Sequence, residues 1–325
     1  MKKLLSLLVI LIVLCSFVFA KGTRVAVVFA TGGLGDKSFN DAAMKGLVLA
    51  KKELGIKYDF GEPSAIADYE TYLTQFANTR KYDLIISIGF DQADALGKVA
   101  DRYKKQNFAI VDMVVDKPNV ASYIYKEQER GFLIGYASAL TTVKKGIAQI
   151  NSDKVIGVIG GMKIPLIDAN IAGFIAGAEY ANNGTKAIHS YVGSWVDPAK
   201  GKELTISMFE RGADIVWGAA GRSGIGVINA AKEENKFAIG ADSDQSFLAP
   251  KNVLTNGMKN VDKTLLLAIK SVDEGKFQSG LHFLGIAEDA LGYSKNLLPK
   301  DVIQSLENVK KEISAGKIEI PNTVE

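Results

Sequence analysis

Short β-branched runs alternate with amphipathic stretches of helical length, and the alternation starts afresh near the middle of the chain. The apolar runs lie at 25–29, 84–88, 108–111, 155–159, 188–192, 215–217 and 237–239, each bounded by Gly, Asp or Asn. Between them, 41–54, 69–78, 91–104, 170–181 and 202–211 carry the periodicity of helices with one apolar face. Strand, helix and strand in repeated succession require parallel sheets covered by helices on both faces. The series ends with a helix at 128–143 and restarts at Lys154. The expected fold is therefore α/β, with two doubly wound parallel-sheet lobes, the first from 21 to 126 and the second from 127.

The C-terminal part departs from this order. It reads strand-like at 253–258, helical at 261–274, strand-like at 281–286 and helical at 300–315. These segments are expected to cross between the lobes near 250–255 and again near 277–281. Lobe one then takes in about 255–278, and lobe two consists of 127–252 plus about 281–325. Several connections side by side permit hinge closure while resisting twist.

Each half also places an aromatic at a strand-to-helix turn, Phe39 in the first and Trp217 in the second. Two lobes facing each other form a cleft, and two rings in that cleft can hold a flat ligand between them. Trp217 closes an apolar run, at the strand end where open α/β sheets bind ligands. The competing reading makes Phe39 an inward-packed staple at a helix start and Trp217 a core residue.

The N-terminus is expected to lie outside the fold. Lys2 and Lys3 precede an apolar run at 4–19 that ends at Ala20, the pattern of a secretory signal peptide over residues 1–20. The run is shorter than the ~20 residues that a membrane span requires. Cys15, preceded by Leu14, offers lipid anchoring as a second reading of the segment. It is the only cysteine, so the exported chain is expected to carry no disulfide. Removing Lys2 and Lys3 from the 39 basic residues leaves 37 against 36 acidic. A near-neutral chain without a basic block argues against nucleic acid or a membrane surface as partner. Two histidines without a cysteine argue against a zinc-finger or thiolate site.

A set of motifs carries a more specific resemblance. The turn Gly35-Asp36-Lys37-Ser38-Phe39-Asn40-Asp41 resembles the one after the first strand in the basic membrane protein family of ABC-transporter substrate-binding proteins, whose best-understood branch is the purine nucleoside receptors. Further segments match in order: Gly89-Phe90, Ile110-Val111-Asp112, Gly131 to Gly135, Gly160-Gly161-Met162, Ala172 to Gly177, Ala241 to Gln245, and Lys259 to Asp262. The resemblance spans the mature chain and implies a type I periplasmic binding fold. It also implies an extracytoplasmic receptor, expected to be monomeric, that delivers a nucleoside to an ABC permease and needs no cofactor. Phe39 and Trp217 match the family's stacking aromatics.

In the same way Asn40 and Asp112 match base-reading positions; Asn40 offers both a donor and an acceptor, or alternatively an N-cap. Asp242 and Lys259 look like ribose readers, with Lys259 balancing the Asp242 charge, since an unpaired carboxylate in a closed cleft is costly. The alternative for that pair is an ordinary ion pair at the hinge surface. Gly221 would bring a backbone N–H close to the sugar. One departure stands out: many nucleoside receptors carry an aspartate where this chain has Ala30.

Other readings are weaker. The turn Gly221-Arg222-Ser223-Gly224-Ile225-Gly226 is neither a dinucleotide fingerprint nor a P-loop. Ser38 and Ser243 have no histidine in the matching turns to act as a base, so no enzyme is expected. A ligand-sensing receptor remains as an alternative to transport, as does a flavin or sugar as ligand.

Overall fold

The computed structural model describes residues 22–324; the expected signal peptide and Cys15 lie outside the described residues. The chain forms two six-stranded sheets with one plan. The first contains β1 (Arg24–Val28), β2 (Lys57–Gly61), β3 (Leu84–Ile88), β4 (Phe108–Val111), β5 (Val120–Tyr125) and β11 (Gly280–Leu284). The second contains β6 (Val155–Gly160), β7 (Lys186–Tyr191), β8 (Ala213–Ala219), β9 (Phe237–Asp242), β10 (Val253–Lys259) and β12 (Leu291–Tyr293). Their spatial orders are β11-β5-β4-β3-β1-β2 and β12-β10-β9-β8-β6-β7. Every pairing is parallel except β10 with β12. The central strands are buried on both faces, which is why they read as unbroken apolar runs and not as alternating ones.

Helices α1 (Phe39–Leu54), α2 (Tyr69–Asn78), α3 (Ala93–Arg102) and α8 (Val261–Asp273) cover the first sheet. Helices α4 (Glu127–Thr142), α5 (Pro165–Tyr180), α6 (Pro198–Glu210), α7 (Gly224–Glu233) and α9 (Lys300–Ser314) belong with the second. Among the described residues, no helix is long and apolar enough to cross a membrane.

The chain passes between the sheets three times, after β5, after β10 and after β11. The first of the C-terminal crossings comes later than the expected 250–255. Val253 to Lys259 continue the second sheet, paired with β9 from Val253 opposite Ala238 to Met258 opposite Asp242. Val253 and Leu254 are fully buried in that sheet's core, so the chain leaves only beyond Lys259. The return likewise comes after Leu284, not near 277–281, because Gly280 to Leu284 pair with Ala121 to Tyr125 in the first sheet.

One helix contact is unusually close. Gly131 and Gly135 on α4 face Gly173 and Gly177 on α5. A β-carbon at Gly135 would lie 1.9 Å from the Phe174 carbonyl oxygen, and one at Gly131 would lie 2.1 Å from that of Asn170. Only glycine permits this approach, and it sets the position of the first turn of α4, which carries Glu127 and Arg130.

Candidate functional site

The carboxyl ends of the strands of both sheets face one another across a cavity. It encloses about 740 Å³ of space free of protein atoms, part of it open to solvent. From lobe one, the turn after β1 supplies Ala30, Phe39 and Asn40, the turn after β3 supplies Phe90 and Asp91, and the end of β4 supplies Asp112. From lobe two come Trp195, Gly221, Arg222, Asp242 and Lys259, while Glu127, Arg130 and Asn170 rise from α4 and α5.

Asp36 organises the first turn. Its carboxylate accepts from the backbone N–H of Ser38 at 2.9 Å, Asn40 at 2.8 Å and Asp41 at 3.1 Å. It thereby satisfies donors that the start of α1 would otherwise leave unpaired, so Asn40 is not the cap. The Asn40 side chain instead accepts from Ala30 N at 3.0 Å and donates to Asp36 at 3.1 Å. This leaves one Nδ2 hydrogen of Asn40 uncommitted within the lining. Phe39, at the head of α1, lines the cavity with Lys259 Nζ 5.1 Å from its ring centre.

The polar floor is a chain of buried ion pairs. Lys259 Nζ donates to both oxygens of Asp112 at 2.7 Å and to Glu127 Oε1 at 2.6 Å. Glu127 Oε2 meets Arg130 Nη2 at 2.8 Å and accepts from Asn170 at 3.0 Å. Arg130 donates onward to Asp242 Oδ1 at 2.6 Å, and Ser38 Oγ from the opposite lobe donates to Asp242 Oδ2 at 2.5 Å. Burial pushes the Asp112 carboxyl up to about 6, with Lys259 opposing the rise and Glu127 adding to it. Burial also acts to raise Glu127, but Arg130 and Lys259 outweigh it and hold this carboxyl below its ordinary range. Asp112 and Asp242 both adopt positive φ, 76° and 66°, at corresponding strand ends of the two sheets, a conformation asparagine and aspartate tolerate best after glycine.

Six of the seven residues singled out from the sequence line this cavity: Phe39, Asn40, Asp112, Gly221, Asp242 and Lys259. Trp217 does not. It lies two residues before the end of β8, is fully buried, stacks on Phe174 with ring centres 6.0 Å apart and donates Nε1 to the Gly240 carbonyl at 3.2 Å. It is a core residue beneath the site, with the Arg130 guanidinium 5.5 Å from its ring centre. The lobe-two aromatic at the cavity is Trp195, in the loop after β7, packed over Gly161 and Gly221. Its ring centre lies 6.5 Å from that of Phe90, so the two lobes meet there through aromatic rings. The expected pairing of Asp242 with Lys259 is also corrected: Arg130 holds Asp242, and Lys259 holds Asp112 and Glu127.

The lobes are closed on one another. Besides Ser38 to Asp242, Gln245 Nε2 donates to the Lys37 carbonyl at 2.9 Å and Arg222 Nη2 to the Leu34 carbonyl at 2.9 Å. Among the described residues, no group of His, Cys, Asp and Glu side chains is arranged to hold a metal ion. Lys259 and Arg130 pair with Asp112, Glu127 and Asp242, two cations against three carboxylates.

Two like-built α/β lobes, three crossings and a cavity at the strand carboxyl ends define a type I periplasmic binding fold. A solved solute-binding protein of an ABC transporter system from Aeropyrum pernix superposes with a TM-score of 0.84 at 30% identity, covering 93% of this chain and 94% of that one. Residues 23–324 match the Bmp family, described as ABC transporter substrate-binding protein PnrA-like, and the chain belongs to that family. An uncharacterized lipoprotein of Pyrococcus horikoshii is 34% identical over 84% of this chain and 69% of its own length. Basic membrane protein D of Borreliella burgdorferi is 33% identical over 89% and 85%. The chain is thus a substrate-binding protein of the ABC-transporter type, a class that binds small ligands and works with a permease.

Proposed function

We propose that this protein captures a nucleoside, a purine nucleoside before a pyrimidine one, outside the cytoplasm and presents it to an ABC permease without altering it. The observation that carries this reading is that aromatic rings from both lobes, Phe39 and Phe90 on one side and Trp195 on the other, line the same cavity. Each ring face stacked on a base contributes about 1–3 kcal/mol. The charge of the lining supports an uncharged ligand. Five carboxylates, those of Asp36, Asp91, Asp112, Glu127 and Asp242, stand against three cations, Arg130, Arg222 and Lys259. An excess of acceptors suits hydroxyl and N–H donors and opposes a phosphate. Asp242, at a strand end of lobe two and with acceptor capacity left on both oxygens, is the group for ribose hydroxyls, with Lys259 fixing the Asp112 carboxylate, while Asn40 and Asp112 face the base. Relatives named as lipoproteins favour an extracytoplasmic location, reached through the N-terminal signal and, through Cys15, a membrane anchor.

The test is to denature the purified protein and identify the released small molecule by mass spectrometry. Calorimetry with inosine, adenosine, guanosine, cytidine, riboflavin and galactose then ranks ligands. Purine nucleosides are expected to bind most tightly and emerge unaltered. Tight binding of galactose or riboflavin with none of a nucleoside, or release of free base, overturns the reading.

A further inference from the structure

Five carboxylates line the cavity, and in four of them both oxygens already have a partner in the protein. Asp36 is taken by backbone N–H groups and Asn40. Asp112 has both oxygens on Lys259. Glu127 divides its oxygens between Lys259 on one side and Arg130 with Asn170 on the other. Asp242 divides its own between Arg130 and Ser38. Asp91 differs. Its Oδ2 accepts from the hydroxyl of the fully buried Tyr69 at 2.9 Å, and that hydroxyl accepts from Thr31 N at 3.0 Å, which fixes the direction of the bond. Apart from Tyr69, the one group among the described residues that bears on this carboxylate is the backbone N–H of Asp91 itself, so Oδ1 receives no donor from another residue.

Oδ1 stands beside the stacking wall. The point that a β-carbon of residue 89 would occupy lies 3.2 Å from Asp91 Oδ1, 3.3 Å from Ala30 Cβ and 4.0 Å from Phe39 Cε1. The residue there is glycine with φ 111°. The three groups therefore surround a space that only a glycine leaves open, and a flat ligand lying on Phe39 presents its edge to it. Burial raises the half-buried Asp91 carboxyl above its ordinary value, so a ligand that shields Oδ1 from water as the cleft fills must supply a donor in its place.

Resting on the nucleoside reading above, we infer that Asp91 is a specificity-determining residue that accepts a hydrogen bond from an N–H on the edge of the bound base, with Tyr69 holding the carboxylate in place. With the free Nδ2 hydrogen of Asn40 as neighbouring donor, the site reads an acceptor beside a donor and selects bases that display both.

Calorimetry of wild type and Asp91→Ala with inosine and with purine riboside, which lacks any N–H on the base edge, tests this. Wild type is expected to prefer inosine by about tenfold or more. In Asp91→Ala the preference collapses to within about threefold, through a loss confined to inosine. Tyr69→Phe, which removes the positioning bond and the one from Thr31 N but keeps the carboxylate, is expected to keep part of the preference. If both nucleosides bind wild type and Asp91→Ala weakens them equally, the assignment to Asp91 fails while the nucleoside reading stands. If neither binds wild type, the nucleoside reading itself has failed. Should Asp91→Ala be poorly folded, Asp91→Asn gives the same comparison in an isosteric side chain.

Discussion

Lys259 Nζ lies 2.7 Å from both carboxylate oxygens of Asp112, so a buried ion pair joins strand ends of opposite lobes. The same ammonium also holds Glu127, at the first crossing of the chain. Removing it leaves Asp112 with no cation in contact and Glu127 sharing Arg130 with Asp242. Lys259→Met is expected to lower stability by about 3–5 kcal/mol, because an uncompensated buried charge costs more than an intact pair contributes. Urea denaturation measures this. Combining it with Asp112→Leu should restore a good part of the loss; a double variant no more stable than the single one contradicts the account.

Trp195 and Trp217 are the two tryptophans of the chain, and they are expected to separate binding from stability. Trp195→Ala should weaken ligand binding about tenfold or more with little change in unfolding. Trp217→Ala should cost about 3–5 kcal/mol of stability, as expected for emptying a core position of this size. Ligand-dependent fluorescence gives a second readout. The response should survive in Trp217→Phe and vanish in Trp195→Phe.

The glycine contact between α4 and α5 predicts an intolerance to one methyl group. In Gly135→Ala the new carbon would meet the Phe174 carbonyl at 1.9 Å, so the helices must move apart. The expected cost is at least about 1–3 kcal/mol, together with weaker binding, since Arg130 and Asn170 sit on the displaced helices. Equal stability and affinity in Gly135→Ala would show that the helices yield there freely.

Asp214 predicts a dependence on pH. It is fully buried at the start of β8, where it accepts from Thr142 Oγ1 at 2.8 and 2.9 Å, and burial pushes its carboxyl up to about 6. The native state thus keeps this proton up to about pH 6, whereas the unfolded carboxyl releases it near 3.8. The unfolded state binds fewer protons in that window, so this group's stabilising contribution is lost as pH rises through it. Asp214→Asn cannot ionise and can still pair with Thr142. Its stability relative to wild type should therefore improve between pH 4 and pH 8, by at most about 3 kcal/mol. Denaturation curves of both proteins at the two pH values measure the change, and a constant difference contradicts it.

The fold was legible because buried parallel strands leave apolar runs, and because the runs begin again after α4. Strand β2 escaped notice since it is an edge strand with mostly exposed residues. The late crossing at Lys259 was hidden because a strand reads alike whichever sheet it joins. Site residues at strand ends, such as Asp112 and Asp242, were visible from their position after apolar runs. Trp217 misled because an apolar run does not show how far its strand continues: β8 runs on to Ala219, which reaches the cavity, while Trp217, two residues earlier on the same face, packs with Ile215 in the core beneath. Trp195 lies in a loop without periodicity, and only the turn at Gly193 marks it. The partners of the charges were illegible too, since Arg130 and Asp242 lie 112 positions apart.

Glu127 and Lys259 stand at two of the three crossings and also line the cavity. A guest that reaches them touches the pivot as well as the walls. Filling and folding shut are then a single event, and a substitution at either residue alters how tightly the guest is held and how far the jaws swing by the same stroke.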